Sequence, residues 1–587
     1  MITGKLINRV LYIDLTNKSF KVKDRQDLFD KYIGGTGVAT QLLFEECPEG
    51  VDPLGEDSPI ILAVGPLTGV YPLASKTVAM FKSPLTGNLG ESHVGGRSAV
   101  AIRMAGYGAI VVKGKSDFPV YLAIHGRKVQ FKDATTIWGM HSSTTAGRIM
   151  RDNEPGDGVR SIMKIGRAGE NLCSYAAVTT ESFRHFGRLG LGAIFGSKFL
   201  KGIVVSGEDF LKVADVKGFK KLYEDLYKSA VDTSLMKKYH DLGTAVNIMS
   251  LDKMGALPTK NLTERKLEGV QNISGENLAE KFLARRVACA HCPVGCVHLA
   301  EIREPSEHEA YFNKTTLIGY DFELIYSLGS MIGINDPEAM LKLIDDVEKH
   351  CFDAMSAGVV LAWTTEMFQK GKINKTHTLD IEPKWGDYMA YKKILENIVE
   401  QPNVFYKALA KGVAYASEQF GGKEFAMAFG KNEMPGYHTG PATYLGFLLG
   451  ARHSHLDNGG YSIDQKDLIS DNPPAAEKVV DKIFEEEYIR QILSSISICF
   501  FARGVYSMEL VSQALKTMGL EISEKELLDL GKKIHAEKYR FKFREGFSFE
   551  NLHVPSRIYE APDPTGKIKK EYIDAGLKYA KEQLAKA

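Results

Sequence analysis

The stretch ACAHCPVGC places Cys289, Cys292 and Cys296 within eight positions, in a chain that has seven cysteines among 587 residues. Three sulfurs on so tight a loop can face three corners of an iron–sulfur cubane and leave the fourth to a distant thiolate. A c-type haem would need C-x-x-C-H, and Pro293 follows Cys292 instead. A disulfide knot is disfavoured, because an odd cysteine count without a secretion signal points to reduced thiols in a cytoplasmic setting. Zinc is the competitor, since C-x2-C is its common half-site. Only isolated cysteines (Cys47, Cys173, Cys351, Cys499) are left to complete such a cage. The spacing favours iron–sulfur and leaves zinc open. Cys499 follows a helical run and heads an apolar one, which makes it a candidate closing ligand. Cys47 and Cys173 read as small buried hydrophobes.

Glycine is the second feature with chemical meaning. Six glycine-rich loops (IGGTGVA, GPLTG, SPLTG, GNLGES, VGGRS and FGRLGLGAIFG) leave short apolar runs before residue 207, with Lys76, Arg97, Arg184 and Arg188 among them. Glycine lets backbone N–H groups approach an anion, most often phosphate. None of the loops is a P-loop, and no G-x-G-x-x-G opens a βαβ unit, so ordinary nucleotide binding is not favoured. PLTG occurs at 66–69 and 84–87, as two similar strand exits.

The elements that must position these groups divide the chain. VLYIDL, SPIILAVG, TVAMFKS, AIVVKGKSDFPVYLAI and KGIVVSG have strand character. After residue 210 the period becomes helical: Phe219, Leu222, Tyr223, Leu226 and Ala230 form one stripe. A helix opening at Asp336–Pro337 carries Met340, Leu343, Ile344 and Val347 on its apolar face. The fold class is α+β, a β-rich first third followed by a mainly helical remainder. The chain is 44% hydrophobic and 25% charged with a net charge of +1, so no global field draws it to nucleic acid or an anionic membrane. No apolar run approaches the roughly 20 residues of a membrane helix.

Taken in order and spacing, YIGGTGVA, GPLTG, KSPLTG, VGGRSAVAIRMAGYGAIVVKGKSDFPVYL, IGRAGENLCSYAAVTTESFRHFGRLGLGAIFGSKFLKGI and CAHCPVGC resemble the tungsten-dependent aldehyde:ferredoxin oxidoreductase family. The resemblance runs through VPSRIYEAPDPTGKI near the end. It implies a β-rich pterin-binding base (1–207), a helical domain with the cysteine motif (208–417) and a helical C-terminal domain with the fourth cluster cysteine (418–587). The implied cofactors are a tungsten bis-molybdopterin, a 4Fe-4S cluster on Cys289, Cys292, Cys296 and Cys499, and a Mg2+ bridging the pterin phosphates. Phosphate contacts map to Lys76 and Arg184. The Mg2+ positions, held through backbone carbonyls, map to His93 (in His93, Val94, Gly95, Gly96) and His185 (in Arg184, His185, Phe186, Gly187). The implied partners are a small aldehyde and ferredoxin or a small iron–sulfur subunit, in a homo- or hetero-oligomer.

The family's pterin loops, D-x-x-G-L-D and D-x-x-G-L-C, stand here as EKHCFD (348–353) and SSISIC (494–499). Glu348 and Asp353 keep carboxylates in the first, where Cys351 replaces Gly and reads as a packing cysteine. In the second, Ser494 and Ser497 replace Asp and Gly, and Ile498 precedes Cys499. The catalytic carboxylate falls in YDFELIY, at Asp321 or Glu323, with Glu323 preferred. The stretch REPSEHEAYFNKTTLIG before it reads as a solvated loop. The family's catalytic histidine aligns with Thr443, leaving His438, His453 and His455 as candidates, of which His455 is chosen. These departures resemble divergent branches, including broad-specificity tungsten oxidoreductases and the benzoyl-CoA reductase type, which acts on an aromatic CoA thioester. A non-catalytic iron–sulfur or zinc protein is the alternative of another class.

Overall fold

The computed structural model describes residues 8–156, 158–209, 211–306, 309–468, 474–566 and 568–586. Residues 1–7, Glu307 and His308 of the stretch REPSEHEAYFNKTTLIG, and Lys567 of the terminal motif lie outside them. Strands β1 (Arg9–Asp14), β2 (Ser19–Asp24), β3 (Ile60–Ala63), β4 (Thr77–Lys82), β5 (Leu89–Val94) and β6 (Ala109–Lys113) form a sheet in the order β2-β1-β6-β3-β4-β5. Strands β7 (Val120–His125), β8 (Lys128–Asp133), β9 (Val159–Lys164), β10 (Val178–Thr180), β11 (Arg184–Phe186) and β12 (Leu200–Gly207) form a second, ordered β11-β10-β9-β12-β7-β8. The pairs β1/β6 and β7/β12 are parallel.

Side chains alternate across a strand, so each sheet offers two faces. Leu11, Ile13, Ile60 and Leu62 pack against Val120, Leu122, Ile203 and Val205, filling the space between the sheets. Val10, Tyr12, Ile61 and Ala63 point the other way, into a core shared with the helix Gly35–Glu46. A strand buried on both faces reads as an unbroken apolar run, which is why IILA shows no alternation. Edge strand β2 is exposed along its length and carries Lys21 and Lys23, a composition that discourages further strand pairing.

Beyond residue 207 the chain is mostly helical. Asp215 caps the helix Val216–Asp232, whose buried residues Leu222, Leu226 and Ala230 belong to the expected stripe. Asp336 accepts from the N–H groups of Glu338 and Ala339, and Pro337 starts the helix Pro337–His350. Helices Ala476–Ser495 and Glu524–Arg544 pack on the N-terminal domain's Gly35–Glu46 helix.

One segment departs from expectation. The stretch read as a solvated loop is largely β15 (Asn313–Tyr320) paired with β14 (Val297–Pro305), which also pairs with β13 (Leu283–Val287). Ile302 and Ile318 are buried while Glu301 and Arg303 face solvent, an alternation of period two. Tyr311 and Phe312 stand exposed at the hairpin's tip.

Candidate active site

The cysteine loop joins β13 to β14 and is stitched to the N-terminal domain through backbone bonds. Ala290 N–H donates to the Gly96 carbonyl (2.9 Å), Leu73 N–H to the His291 carbonyl (2.9 Å), and Cys499 N–H to the Leu73 carbonyl (3.0 Å). Leu73 therefore bonds to both the loop and the distant cysteine. A Cβ on Gly95 would lie 2.6 Å from Cys289 Sγ and 3.3 Å from Lys76 Nζ, so only glycine fits there. Burial opposes ionisation of the Cys289 thiol, but Arg184 and Lys76 overcome it and hold the group below its usual range. Cys296 is pushed up to about 11, first by burial and then by the charges of Cys499 and Cys289, against Arg184 and Lys76. The four thiols thus act electrostatically on one another. Among the described residues, no three His, Cys, Asp or Glu side chains close around a single ion.

Cys296 and Cys499 line a cavity of about 330 Å³, together with Lys76, His93, Arg184 and His185. Gly187, Glu323, Glu348, Asp353, His455 and Ile498 line it as well. His93 sits on β5 and His185 on β11, strands that run against each other. Val94 and Phe186 turn their side chains into the inter-sheet core, which leaves only their backbone for any ligand. His93 Nε2 lies 2.7 Å from Glu91 Oε1, and Glu91 also receives Lys538 Nζ at 2.5 Å. Burial first, then nearby cations, lowers His93 to about 4 and His185 to about 3, so both rings are neutral. Burial raises Glu348 well above the carboxylate range, with Asp345 and Asp321 adding to it.

Glu323 and His455 meet in this cavity, 3.2 Å apart from Oε1 to Nε2. That is ion-pair distance, yet burial holds both groups neutral. Glu323 is raised to about 8, by burial with Asp321 and Asp353 adding and the Gly436 N–H opposing, and His455 is lowered to about 3. Glu323 accepts from Gly436 N–H (3.2 Å), while Asp321 caps the helix Phe322–Leu328 that carries it. The other two candidate histidines do not line the cavity: His438 is engaged with the Tyr444 hydroxyl (2.6 Å) and His453 with Lys542 (2.9 Å). Thr443 is buried, donating to Asp464 at 2.7 Å.

The two altered loops keep an unusual backbone. Cys351 has φ 59° and Ser497 has φ 67°, both in the left-handed region that favours glycine. Cys351 is fully buried with its Sγ 3.1 Å from the Thr179 hydroxyl, in accord with a packing role. Ser497 Oγ accepts from Gly65 N–H at 2.7 Å. Ser494 is buried and off the cavity wall, its carbonyl crowding Gly35. Asp353 pairs with Arg188 at 3.0 Å.

The wall also holds residues that sequence reasoning did not assign. Arg452 is fixed by Asp457 (2.5 Å), and Arg490 and Arg503 join it, with Tyr437 stacked on Tyr461 at 4.1 Å. Arg452 sits next to the candidate His453, whereas Arg490 lies inside the helix Ala476–Ser495 with no local signal. Several polar atoms of the lining residues are buried without a hydrogen-bond partner: Glu348 Oε1, His185 Nε2, Arg184 Nε and His455 Nδ1. Unsatisfied buried polar atoms are costly, so a wall of them is built to meet a polar ligand.

Comparison with known proteins places this architecture. The family model for the aldehyde ferredoxin oxidoreductase N-terminal domain matches residues 10–207, and that for domains 2 and 3 matches residues 220–586. The chain belongs to the aldehyde ferredoxin oxidoreductase family. It is 30% identical to a tungsten-containing aldehyde ferredoxin oxidoreductase of Thermococcus kodakarensis, over 96% of this chain and 93% of that one. It is likewise 30% identical to the WOR-like subunit of an aliphatic sulfonate oxidoreductase of Pyrococcus furiosus, over 70% and 66%. In fold it resembles the active-site complex BamBC of benzoyl-coenzyme A reductase, with TM-score 0.80, 20% identity, and coverage of 100% of this chain and 99% of that one. Like its relatives, the chain is an oxidoreductase. Among the described residues no helix is long and apolar enough to cross a membrane.

Proposed function

We propose that the chain is a tungsten bis-pterin enzyme that oxidises aldehydes to carboxylic acids in the cytoplasm, passing electrons through a 4Fe-4S cluster to ferredoxin or a ferredoxin-like subunit. The observation that carries this reading is the Glu323–His455 pair, set in one cavity with Cys296 and Cys499. Aldehyde and water give carboxylic acid, two protons and two electrons. When bound, a tungsten bis-pterin would take up the electron pair and the cluster would relay it one electron at a time.

The chain's own residues supply positions and protons. Lys76 and Arg184 would meet phosphate, a role supported by the unpartnered Nε of Arg184. The backbone carbonyls of His93 and His185, on adjoining strands, are the candidates for Mg2+, and Glu348 and Asp353 would meet pterin nitrogens. Cys289, Cys292, Cys296 and Cys499 would hold the cluster. His455 Nδ1, unpartnered and on a ring that burial keeps neutral, is available to hydrogen-bond the substrate. Glu323, protonated below about pH 8, stabilises the developing alkoxide or, once ionised, deprotonates water or the aldehyde hydrate.

Metal analysis of the loaded protein, with aldehyde-dependent viologen reduction, tests the reading. About four iron and about one tungsten per chain, with aldehyde oxidation, support it. Zinc alone, or reduction of an aromatic CoA thioester in place of aldehyde oxidation, sinks it. The likeness to the benzoyl-coenzyme A reductase complex concerns the fold and does not choose between these substrates.

A further inference from the structure

The mouth of the cavity is cationic in a way the proton-transfer pair does not require. Arg490, on the last turns of the helix Ala476–Ser495, is 5% exposed and lines the cavity. Its Nη1 donates to the Leu456 carbonyl at 2.8 Å, which fixes the guanidinium one residue from His455. Glu486 approaches Nη2 at 3.6 Å, while Nε is buried with no partner. Arg503 lines the same cavity, is exposed at its rim and donates to the Phe500 carbonyl at 2.9 Å. Its positive charge acts on both Arg490 and Lys238. Aromatic rings flank the pair, with Tyr239 stacked on Phe501 at 4.5 Å and Tyr461 on Tyr437.

Like charges gathered on one cavity repel one another, and an orphaned N–H on the buried Arg490 adds a cost of its own. Both costs fall when an anion enters, and a guanidinium fork suits carboxylate, sulfonate and phosphate alike. Lys76 and Arg184, the cations placed for cofactor phosphate, stand against Cys289. Arg490 is held beside His455 through the Leu456 carbonyl, and Arg503 on the same cavity is exposed to solvent.

We propose that Arg490 and Arg503 form an anion subsite, so that the aldehyde this enzyme takes carries an anionic group at the end remote from its carbonyl. The proposal rests on the aldehyde-oxidation reading for its substrate and on Arg490's geometry for the subsite. An anionic group held there anchors the substrate with its carbonyl directed inward, and Arg490 and Arg503 serve as specificity residues.

The test uses the metal-loaded enzyme. Viologen-linked kcat/KM is compared for succinic semialdehyde, sulfoacetaldehyde and the neutral butyraldehyde, in the native protein and in Arg490→Gln and Arg503→Gln. Binding of succinate and of butyramide is measured calorimetrically in the same three proteins. At least one anionic aldehyde should exceed butyraldehyde by about tenfold or more, as charge-assisted hydrogen bonds allow. Arg490→Gln should lower that ratio by a similar factor, through KM and not kcat. Which anionic aldehyde wins tells carboxylate from sulfonate. Preference for butyraldehyde, or a ratio the variants leave unmoved, overturns the proposal. So does a fall in pterin content in Arg490→Gln, which would give that side chain to the cofactor. If no aldehyde is oxidised, the functional reading fails, and succinate binding decides the subsite alone: weakened by the variants it stands, absent or unaffected it falls.

Discussion

Two helix ends deliver loops to the cavity, and they differ in chemistry while agreeing in shape. Residues 348–353 straddle the end of the helix Pro337–His350, and residues 494–499 straddle the end of the helix Ala476–Ser495. Each turns through a left-handed residue that is not glycine, Cys351 or Ser497. The first loop brings Glu348 and Asp353 to the cavity, and the second brings only Ile498 and Cys499. The acidic side manages burial by protonation, as Glu323 and Glu348 do. The basic side manages it by pairing: Arg452 with Asp457, Lys538 with Glu91. Backbone geometry persists because the turn must close, whereas the side chains facing the ligand are free to change. A carboxylate that can be neutral serves proton transfer, and a guanidinium that cannot be neutral serves binding.

The sharpest way to break the acidic side is Glu323→Gln, which keeps the shape and removes the exchangeable proton. It should reduce aldehyde oxidation by about 10²–10⁴-fold. In the native enzyme kcat/KM should rise with pH as Glu323 ionises near pH 8, and that limb should vanish in the variant. Stability carries the same sign. A carboxyl raised in the fold contributes stability that is full below its unfolded value near 4.5 and is lost as pH rises through about 8. The melting temperature of Glu323→Gln should therefore fall less between pH 5 and pH 9 than that of the native protein. Equal slopes would remove Glu323 from the buried titrating groups.

On the basic side the corresponding break is Lys538→Met. Lys538 and Glu91 are almost wholly buried, and Lys538 also reaches Gln491 at 2.5 Å. Removing the ammonium leaves Glu91 with only the Thr36 hydroxyl and His93, a loss of about 3–5 kcal/mol in unfolding free energy. Lys538→Met combined with Glu91→Gln should recover much of it, since the cost is the bare charge and not the missing contact. A double variant no better than the single one would show that packing around Lys538, not charge balance, maintains that wall.

How much of this was legible in the sequence follows the distance over which each signal acts. The Asp336–Pro337 cap, the Leu222–Leu226–Ala230 stripe and the cysteine spacing are local, and each can be read within a few residues. The choice among His438, His453 and His455 was not local, because it depends on Glu323, more than a hundred residues upstream. Arg490 was silent for a similar reason: on its own helix it is one of many polar residues, and the Leu456 carbonyl and the Phe500 ring, 5.7 Å away, give it direction. Ser494 shows the opposite failure, where a position equivalent in sequence is turned off the cavity wall. The hairpin of β14 and β15 carried its alternation openly at Glu301, Ile302 and Arg303, but its setting in an inserted stretch masked it.

The smallest effect falls on the shape the two loops share, and Ser497 isolates it. Its Oγ accepts the Gly65 N–H at 2.7 Å in a buried setting, while its φ of 67° strains any residue bearing a Cβ. Ser497→Ala keeps the strain and leaves the Gly65 N–H with only its longer bond to the Thr68 hydroxyl (3.3 Å), at a cost of about 1 kcal/mol. Ser497→Gly loses the same short bond but relieves the left-handed penalty, so it should be more stable than the alanine variant by about 1 kcal/mol. Denaturant unfolding of the pair reads the difference directly. If alanine equals or exceeds glycine, the left-handed turn is not a constraint at 497, and the likeness to the turn at Cys351 is one of outline only.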